Sequence, residues 1–441
     1  MRSAMKTYTE PSRKIPVHGE YDVIVAGGGP AGVGACLSAA RAGAKTIIIE
    51  QMGALGGVGT TGLHTHMNQM NAAGSPEMIV GGVAQELCDR IVKRGAGVLR
   101  GGMLDYDVEE MKLEYDAMAR EAGVEVLYHA FAADAIVEED TIKGILVESK
   151  SGRWAILGKQ VVDCTADADI AARAGAPFEK GRPADGLMQP VTLMFRMAGV
   201  DWERLSEYRK SDPRIEQMCQ KAIGAGDMEP FQTQLMGFWH WPGRPDEVGV
   251  NFTHMIRTDS TSVLDMTQAE IEGRRQCKMA LHAFRKHLPG CENAYMVDTA
   301  PIVGTRESRR IVGEYVLTKD DIVAARKFDD AIAKGSFFVD IHNLTGPGMD
   351  QASGERLKKG EHYDIPYRCL VPKRIDNLLV AGRSISATHE AQGSIRVMFQ
   401  CMAMGEAAGL AAAMCAASGE RPRAIDVQEL RRRLRGQGAI V

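Results

Sequence analysis

A glycine-rich turn between two β-branched runs constrains this 441-residue chain more than any other feature. Tyr21-Asp22-Val23-Ile24-Val25-Ala26 carries no charge after Asp22, the pattern of a parallel strand buried on both faces. It runs into Gly27-Gly28-Gly29-Pro30-Ala31-Gly32, which fits G-x-G-x-x-G at Gly27, Gly29 and Gly32. A helix of small residues (Ala35, Cys36, Ala39, Ala40) follows, ends at Gly43 and gives way to a second strand, Thr46-Ile47-Ile48-Ile49, closed by Glu50. Gly27 permits a sharp turn, Gly29 lets the backbone approach a pyrophosphate, and Gly32 lets helix and sheet pack closely. Pro30 and Ala31 stand at the helix N-terminus, where free N–H groups and the helix dipole favour phosphate. Glu50 follows at the spacing from which an acid reaches adenosine ribose hydroxyls. The order of strand, glycines, helix, strand and acid predicts a dinucleotide site.

The loop after Glu50, Gln51 to Gly62, holds Gly53, Gly56, Gly57, Gly59 and Gly62, so its backbone can pass close to a bulky ligand. A nicotinamide enzyme usually begins its next helix there, so the loop points to FAD. With this Leu55-Gly56-Gly57 loop after an acid, the chain resembles a bacterial FAD-dependent oxidoreductase family, distantly related to fumarate reductase and succinate dehydrogenase flavoprotein subunits. Three further blocks carry the resemblance across nearly the whole chain. They are Val162 to Asp169, Thr305 to Gly313, and the run from Asn377 to Gly409. Ala166 and Ala168 depart from it, standing where the family often has glycine.

The resemblance implies an α/β fold. A Rossmann-like FAD-binding domain of the glutathione-reductase type would span residues 20–185 and 365–441, with an inserted α+β substrate or cap domain at 186–364. It implies cofactor contacts from Gln51, Gly56, Gly57 and Thr61 in the loop, and from Ala132 beyond it. Thr165, Ala166 and Asp167 would join them, with Gly382 and Arg383 after the strand Asn377–Ala381. Val397 to Ala413 reads as a helix, and the resemblance turns its N-terminal end, near Gly393, Ser394 and Ile395, toward the flavin. Such an end stabilises the negative charge that reduction places on the flavin.

The middle of the chain shows strand-like runs at Val191–Phe195 and Val248–Phe252. A helix is expected from Thr267-Gln268-Ala269-Glu270, a capping-box pattern, with Cys277, Leu281, Phe284 and Leu288 on one face and Pro289-Gly290 as its stop. No second strand–glycine–helix unit occurs, which argues against a second, nicotinamide-binding domain.

Candidates for the chemistry are His389, just before the flavin-facing helix end, and His64, after the glycine loop. His66 alternates with His64, so one of the two is expected to face the flavin. Arg306 is placed to clamp an anion through paired donors, with an ion pair to Glu307 or Glu314 as the bland alternative. Arg396 opposes a helix dipole, which suggests a flavin or substrate contact. Phe238-Trp239-His240-Trp241 either lines a pocket for an aromatic substrate or packs a core; His342 and Tyr363 are weaker candidates. Arg309 and Arg310 read as structural. No Ser/His/Asp set or paired metal ligands appear.

The net charge of −4 argues against nucleic acid as a partner, although a flavin-dependent RNA-modifying enzyme remains an alternative, as does an electron-transfer or scaffold flavoprotein. The basic cluster Arg431, Arg432, Arg433 and Arg435 reads as a solvated helix face. Nine scattered cysteines without a C-x-x-C pair suggest reduced thiols in a cytoplasmic protein. Met1 to Glu20 lacks the apolar core of a signal peptide, and no run of about 18 apolar residues suggests a membrane span. The expected partners are a small organic substrate, anionic or aromatic, and an unidentified electron donor or acceptor; homo-oligomerisation is compatible with the sequence.

Overall fold

The computed structural model describes residues 6–441; of the N-terminal stretch read above, Met1 to Met5 lie outside the described residues. β1 (Val17–Ala26), α1 (Pro30–Arg41) and β2 (Thr46–Ile49) follow one another as the sequence pattern requires. β3 (Glu125–Leu127), β4 (Phe131–Glu138), β5 (Thr141–Ser149) and β6 (Gly152–Asp163) complete the first part of the sheet. β1 pairs in parallel with β2 and β6, and β2 pairs in parallel with β3. β6 is long enough for two pairings. Its first half joins antiparallel β5 and thus β4, while Val161–Asp163 pairs in parallel with a strand from much later in the chain.

The middle of the chain builds a separate antiparallel sheet from β7 (Phe195–Ala198), β8 (Gly237–His240), β9 (Val248–Asn251) and β10 (Tyr295–Thr299), in the order β8-β9-β7-β10. α2 (Val263–His287) runs between β9 and β10 and buries Cys277, Ala280 and Phe284. The late strand beside β6 is β11 (Leu378–Val380), followed by α3 (His389–Ile395) and α4 (Met398–Ser418). One continuous apolar core joins α1 and α4 to residues of the antiparallel sheet, and a second lies on the other face of the parallel sheet.

Some sequence expectations need correction. Val191 makes only an isolated bridge to Met255, and the regular strand begins at Phe195 rather than at Val191. α2 starts at Val263, one turn before Thr267, because the Ser262 hydroxyl accepts from the Asp265 N–H; Thr267 instead bonds back to the Val263 carbonyl. α4 is long and apolar enough to cross a membrane, against the expectation of no such stretch, but 72% of its apolar window is buried inside the fold.

α1 and α4 explain why their sequences are rich in small residues. A Cβ on Gly405 would lie 1.9 Å from the Ala31 carbonyl oxygen, and one on Gly409 would lie 2.0 Å from that of Ala35. The two backbones touch, so glycine is required there. This contact fixes the N-terminal end of α4 beside the glycine turn after β1. The carboxyl ends of β1, β2, β6 and β11 meet at one edge of the sheet: Ala26 lies beside Ile49 and Asp163, and Asp163 beside Val380. Open α/β sheets bind ligands at that edge.

Candidate functional site

A cavity of about 840 Å³ opens along this edge. Gly27 adopts a φ of +96°, and a Cβ there would lie 2.4 Å from the Cys164 carbonyl oxygen. A Cβ on Gly32 would lie 1.9 Å from the Gly27 carbonyl oxygen, so Gly32 serves the turn rather than the cavity wall. Gly29 is different. Its Cβ would meet nothing within 4 Å, because the backbone faces open space at the start of α1. Pro30, Ala31, Gln51, Gly57, Thr61 and Ala132 join it on the wall.

Glu50 is buried on the wall. It accepts from the Gly28 N–H at Oε2 and from the Met52 N–H at Oε1, both at 2.7 Å. Burial raises its pKa against these two donors, and each oxygen keeps a lone pair for a ligand hydroxyl. Gly56, expected as a cofactor contact, is off the wall. Its φ of +103° and its N–H bond to the Gly28 carbonyl make it a turn residue packed on Thr60 and Tyr115.

The segment after β6 is organised by Asp163, whose carboxylate accepts from the Thr165 N–H, the Thr165 hydroxyl and the Ala171 N–H. Burial pushes its pKa up to about 6 despite those donors. The turn places Ala166 and Ala168 at φ of +67° and +52°, the left-handed region that favours glycine. Thr165, Ala166 and Asp167 line the cavity. Arg383, on the wall after Gly382, donates to Asp167 Oδ1 (2.6 Å) and Ser308 Oγ (2.8 Å), tying β11 to this turn.

The cavity continues past the end of α4 into a chamber lined by His64, His66, Thr192, Trp239, Arg306, Asp340, His342 and Arg396. Arg306 donates through Nη1 to the Pro190 carbonyl (2.8 Å) and Thr192 Oγ1 (2.7 Å). Among the described residues it pairs with no carboxylate, so the ion pair with Glu307 or Glu314 is not formed. Burial, with Arg396 nearby, pulls its pKa down to about 9. Arg396 is held by Asp340 at 2.6 Å, and its buried Nε has no partner. Burial would raise the Asp340 carboxyl, but His342 and Arg396 beside it hold it well below the usual carboxylate range. Burial also keeps His64 and His342 neutral, each at a pKa of about 3, and each has a buried Nδ1 with no partner.

Trp239 roofs the histidines, its ring centroid 4.6 Å from that of His64 and 5.2 Å from that of His66. Both histidines reach the wall. His66 is tied to Asp105 and Asn68, while among the described residues no side chain holds the His64 ring. The remaining aromatics of that run pack elsewhere: Phe238 against Phe284, and Trp241 with its N–H on Asp107.

Two expectations about the α3–α4 region are corrected. His389 is not on the wall. It is 2% exposed, and its Nδ1 bonds to Glu307 Oε1 at 2.8 Å. Glu307 is fully buried and also takes Arg310 and the Gln189 N–H, so this cluster joins segments behind the cavity. Gly393, Ser394 and Ile395 are off the wall too, because they end α3, a short helix of its own. A Cβ on Gly393 would lie 2.8 Å from the Asp340 carbonyl oxygen, and Ser394 bonds to the Phe337 carbonyl and the buried Tyr363 hydroxyl. Arg396, Val397 and Met398 instead present the start of α4 to the cavity. Arg309 and Arg310 are structural, bonding to Asp167, Asp169, Gly181 and Ala387. Thr192 and Asp340 were missed in the sequence. They come from irregular segments, and only the preference of a buried arginine for oxygen acceptors hinted at them.

The family described as FAD dependent oxidoreductase matches residues 22–434. The chain belongs to this family. FAD is its cofactor, and it is an FAD-dependent oxidoreductase. It is 26% identical over 412 residues to digeranylgeranylglycerophospholipid reductase 2 of Methanococcoides burtonii, covering 85% of this chain and 87% of that protein. It is 29% identical over 160 residues to the thiamine thiazole synthase of Methanococcus vannielii, 33% of this chain. That match spans 56% of the synthase's length. Among solved structures it is similar to a geranylgeranyl bacteriochlorophyll reductase-like protein from Thermoplasma acidophilum, with 14% identity and a TM-score of 0.47 over 95% of this chain and 84% of that one. The cavity fits the family's cofactor: Gly29 leaves open the space that a Cβ would take, at a helix N-terminus, with Glu50 at the adjoining strand end.

Proposed function

We propose that the protein transfers a hydride between a small organic substrate and FAD bound along this cavity. The observation that carries the reading is continuity: the dinucleotide cradle and the arginine–histidine chamber are parts of one cavity. In this reading Glu50 takes the adenosine ribose, and Gly29, Pro30 and Ala31 take the pyrophosphate. Thr165 to Asp167, Gly382 and Arg383 flank the middle of the cofactor. Gly57, Thr61 and the start of α4 border its redox-active ring. Bound FAD supplies two-electron chemistry at N5. Residues 20–185 and 365–441 form the cofactor domain, and residues 186–364 close over it as a cap.

The chain's own groups position the substrate and move one proton. Arg306 offers an acidic group of the substrate donors that no protein carboxylate occupies. Arg396, neutralised by Asp340, adds shape more than charge. His64, held neutral and free of any side-chain partner, is the proton-handling group, in place of His389. Trp239 shields this pair from water. The test is anaerobic bleaching of the visible flavin band by a panel of small hydroxy, amino and unsaturated acids, with reoxidation of the reduced protein as the reverse assay. Substrates that bleach wild type, and bleach His64→Ala and Arg306→Gln at least about a hundredfold more slowly with FAD retained, support the reading. Equal rates in both variants would falsify it.

A further inference from the structure

The chamber around Arg306 is not the end of the cavity. Trp239 belongs to β8, and the chain just before β8 leads outward through Met236 to Leu235 along the same wall. Met236 extends the ladder by bonding to the Asn251 carbonyl, and the Leu235 N–H bonds to the Arg214 carbonyl at 2.7 Å. Extended chain rises about 3.3 Å per residue, so the Arg214 carbonyl is anchored at most about 13 Å along the chain from Trp239. β8 is an edge strand, and the turn between the helices Trp202–Ser211 and Glu216–Gly224 lies alongside it. The end of the first helix supplies Arg209 to the cavity wall, and the turn supplies Arg214.

Neither arginine has a carboxylate within ion-pair distance among the described residues. Arg209 donates only a long bond to the Pro213 carbonyl (3.4 Å), and its guanidinium lies 5.8 Å from the centre of the Phe238 ring. Arg214 donates through Nη1 to Gln234 (2.8 Å). The acids of the wall are already engaged. Asp340 holds Arg396, Asp167 holds Arg383, Asp169 holds Arg309, Glu270 holds Arg274, and Glu50 takes two backbone N–H groups. Arg209 is half-buried, and burial without an opposing acid lowers its pKa. A partly desolvated cation without a partner is unfavourable, and an arriving anion relieves it.

We propose that this outer arm is a second substrate-recognition subsite. An acidic terminal group, carboxylate or phosphate, lies on Arg209 and Arg214, and the apolar body of the substrate rests on Leu235, Met236 and Trp239. The substrate is then an elongated molecule with one anionic group beside Arg306 and a second at the cavity's far end. This rests on the proposed function for its inner anchor only.

Calorimetric titration of the FAD-loaded protein tests it, with straight-chain monocarboxylates, α,ω-dicarboxylates and ω-phosphonocarboxylates of increasing length as probes. Dianions of one length range should bind wild type about tenfold or more tightly than monoanions of equal length, the effect of a charge-assisted pair. The R209A/R214A double variant should lose this preference while keeping its FAD and its monoanion affinity. Whichever dianion series gains more identifies the terminal group. If R306Q abolishes binding while the double variant keeps the dianion preference, the outer subsite is overturned and the inner anchor stands. If the double variant loses the preference but R306Q does not weaken binding, the outer subsite stands and the inner anchor falls. Equal affinity for monoanions and dianions at every length in wild type overturns the outer subsite outright.

Discussion

At the residue scale, the chamber is decided by which polar groups have found partners. Burial and the nearby Arg396 lower the Arg306 pKa, yet among the described residues only Arg396 of the two has an acid; His64 is neutral because burial forbids its charge. His389 is tied at one ring nitrogen, while its buried Nε2, like His64 Nδ1, has no partner among the described residues. Its Nδ1 is bound to Glu307, which also holds Arg310, in a cluster with no opening to the cavity. His389→Ala should therefore act on stability. Loss of the hydrogen bond and the packed ring should cost about 2–4 kcal/mol in denaturant unfolding, with flavin bleaching within a few-fold of wild type. Abolished bleaching in a variant of unchanged stability would return His389 to the chemistry.

At the element scale, the contact of α1 with α4 holds the site together, because it sets the start of α4 against the glycine turn. Gly409→Ala puts a methyl group into the Ala35 carbonyl, a clash that neither backbone can escape without separating the helices. The expected cost is about 2–3 kcal/mol or more, read as a lower melting temperature together with weaker FAD retention. A variant with wild-type melting would show that this contact is not tight. The elements around that contact were legible in the sequence, because strand, glycines and helix declare themselves by local pattern. Glu50 and Gly29 followed from the same local signals, whereas Arg383, Ala166 and Ala168 were singled out only by the family resemblance. The end of α4 was not legible at its true place. Residues from His389 to Arg396 look like a helix entry, but Thr388 caps a separate short helix, which moves the cavity-facing end from Gly393–Ile395 to Arg396–Met398. Asp340 and Thr192 were hidden for another reason: Asp340 lies in an irregular segment that no period marks, Thr192 sits in a run whose pattern suggests only a strand, and each acquires its role by meeting a distant arginine.

At the scale of the whole molecule, burying three histidines links folding to pH. His64, His254 and His342 have folded pKa values of about 3, 4 and 3, against 6.5 for the free side chain, with burial as the main cause. Between about pH 6.5 and 4 the unfolded chain takes up protons that the folded chain refuses. Stability is therefore full above that window and falls as pH drops through it, by up to about 1.4 kcal/mol per pH unit for each histidine. Urea unfolding at pH 7 and pH 5 should show the loss, and His254→Gln should reduce its slope by one proton. A variant slope equal to that of wild type would mean His254 does not contribute.

The central claim is that the cofactor occupies this cavity with its pyrophosphate against Gly29. That glycine has an ordinary extended backbone (φ −67°) and open space where a Cβ would go, so folding tolerates a side chain there that the ligand does not. Calorimetric titration of FAD into Gly29→Val apoprotein measures this directly. The expected result is unfolding within about 0.5 kcal/mol of wild type and FAD affinity lower by at least about a hundredfold. FAD binding at wild-type affinity in that variant would place the cofactor elsewhere and contradict the account.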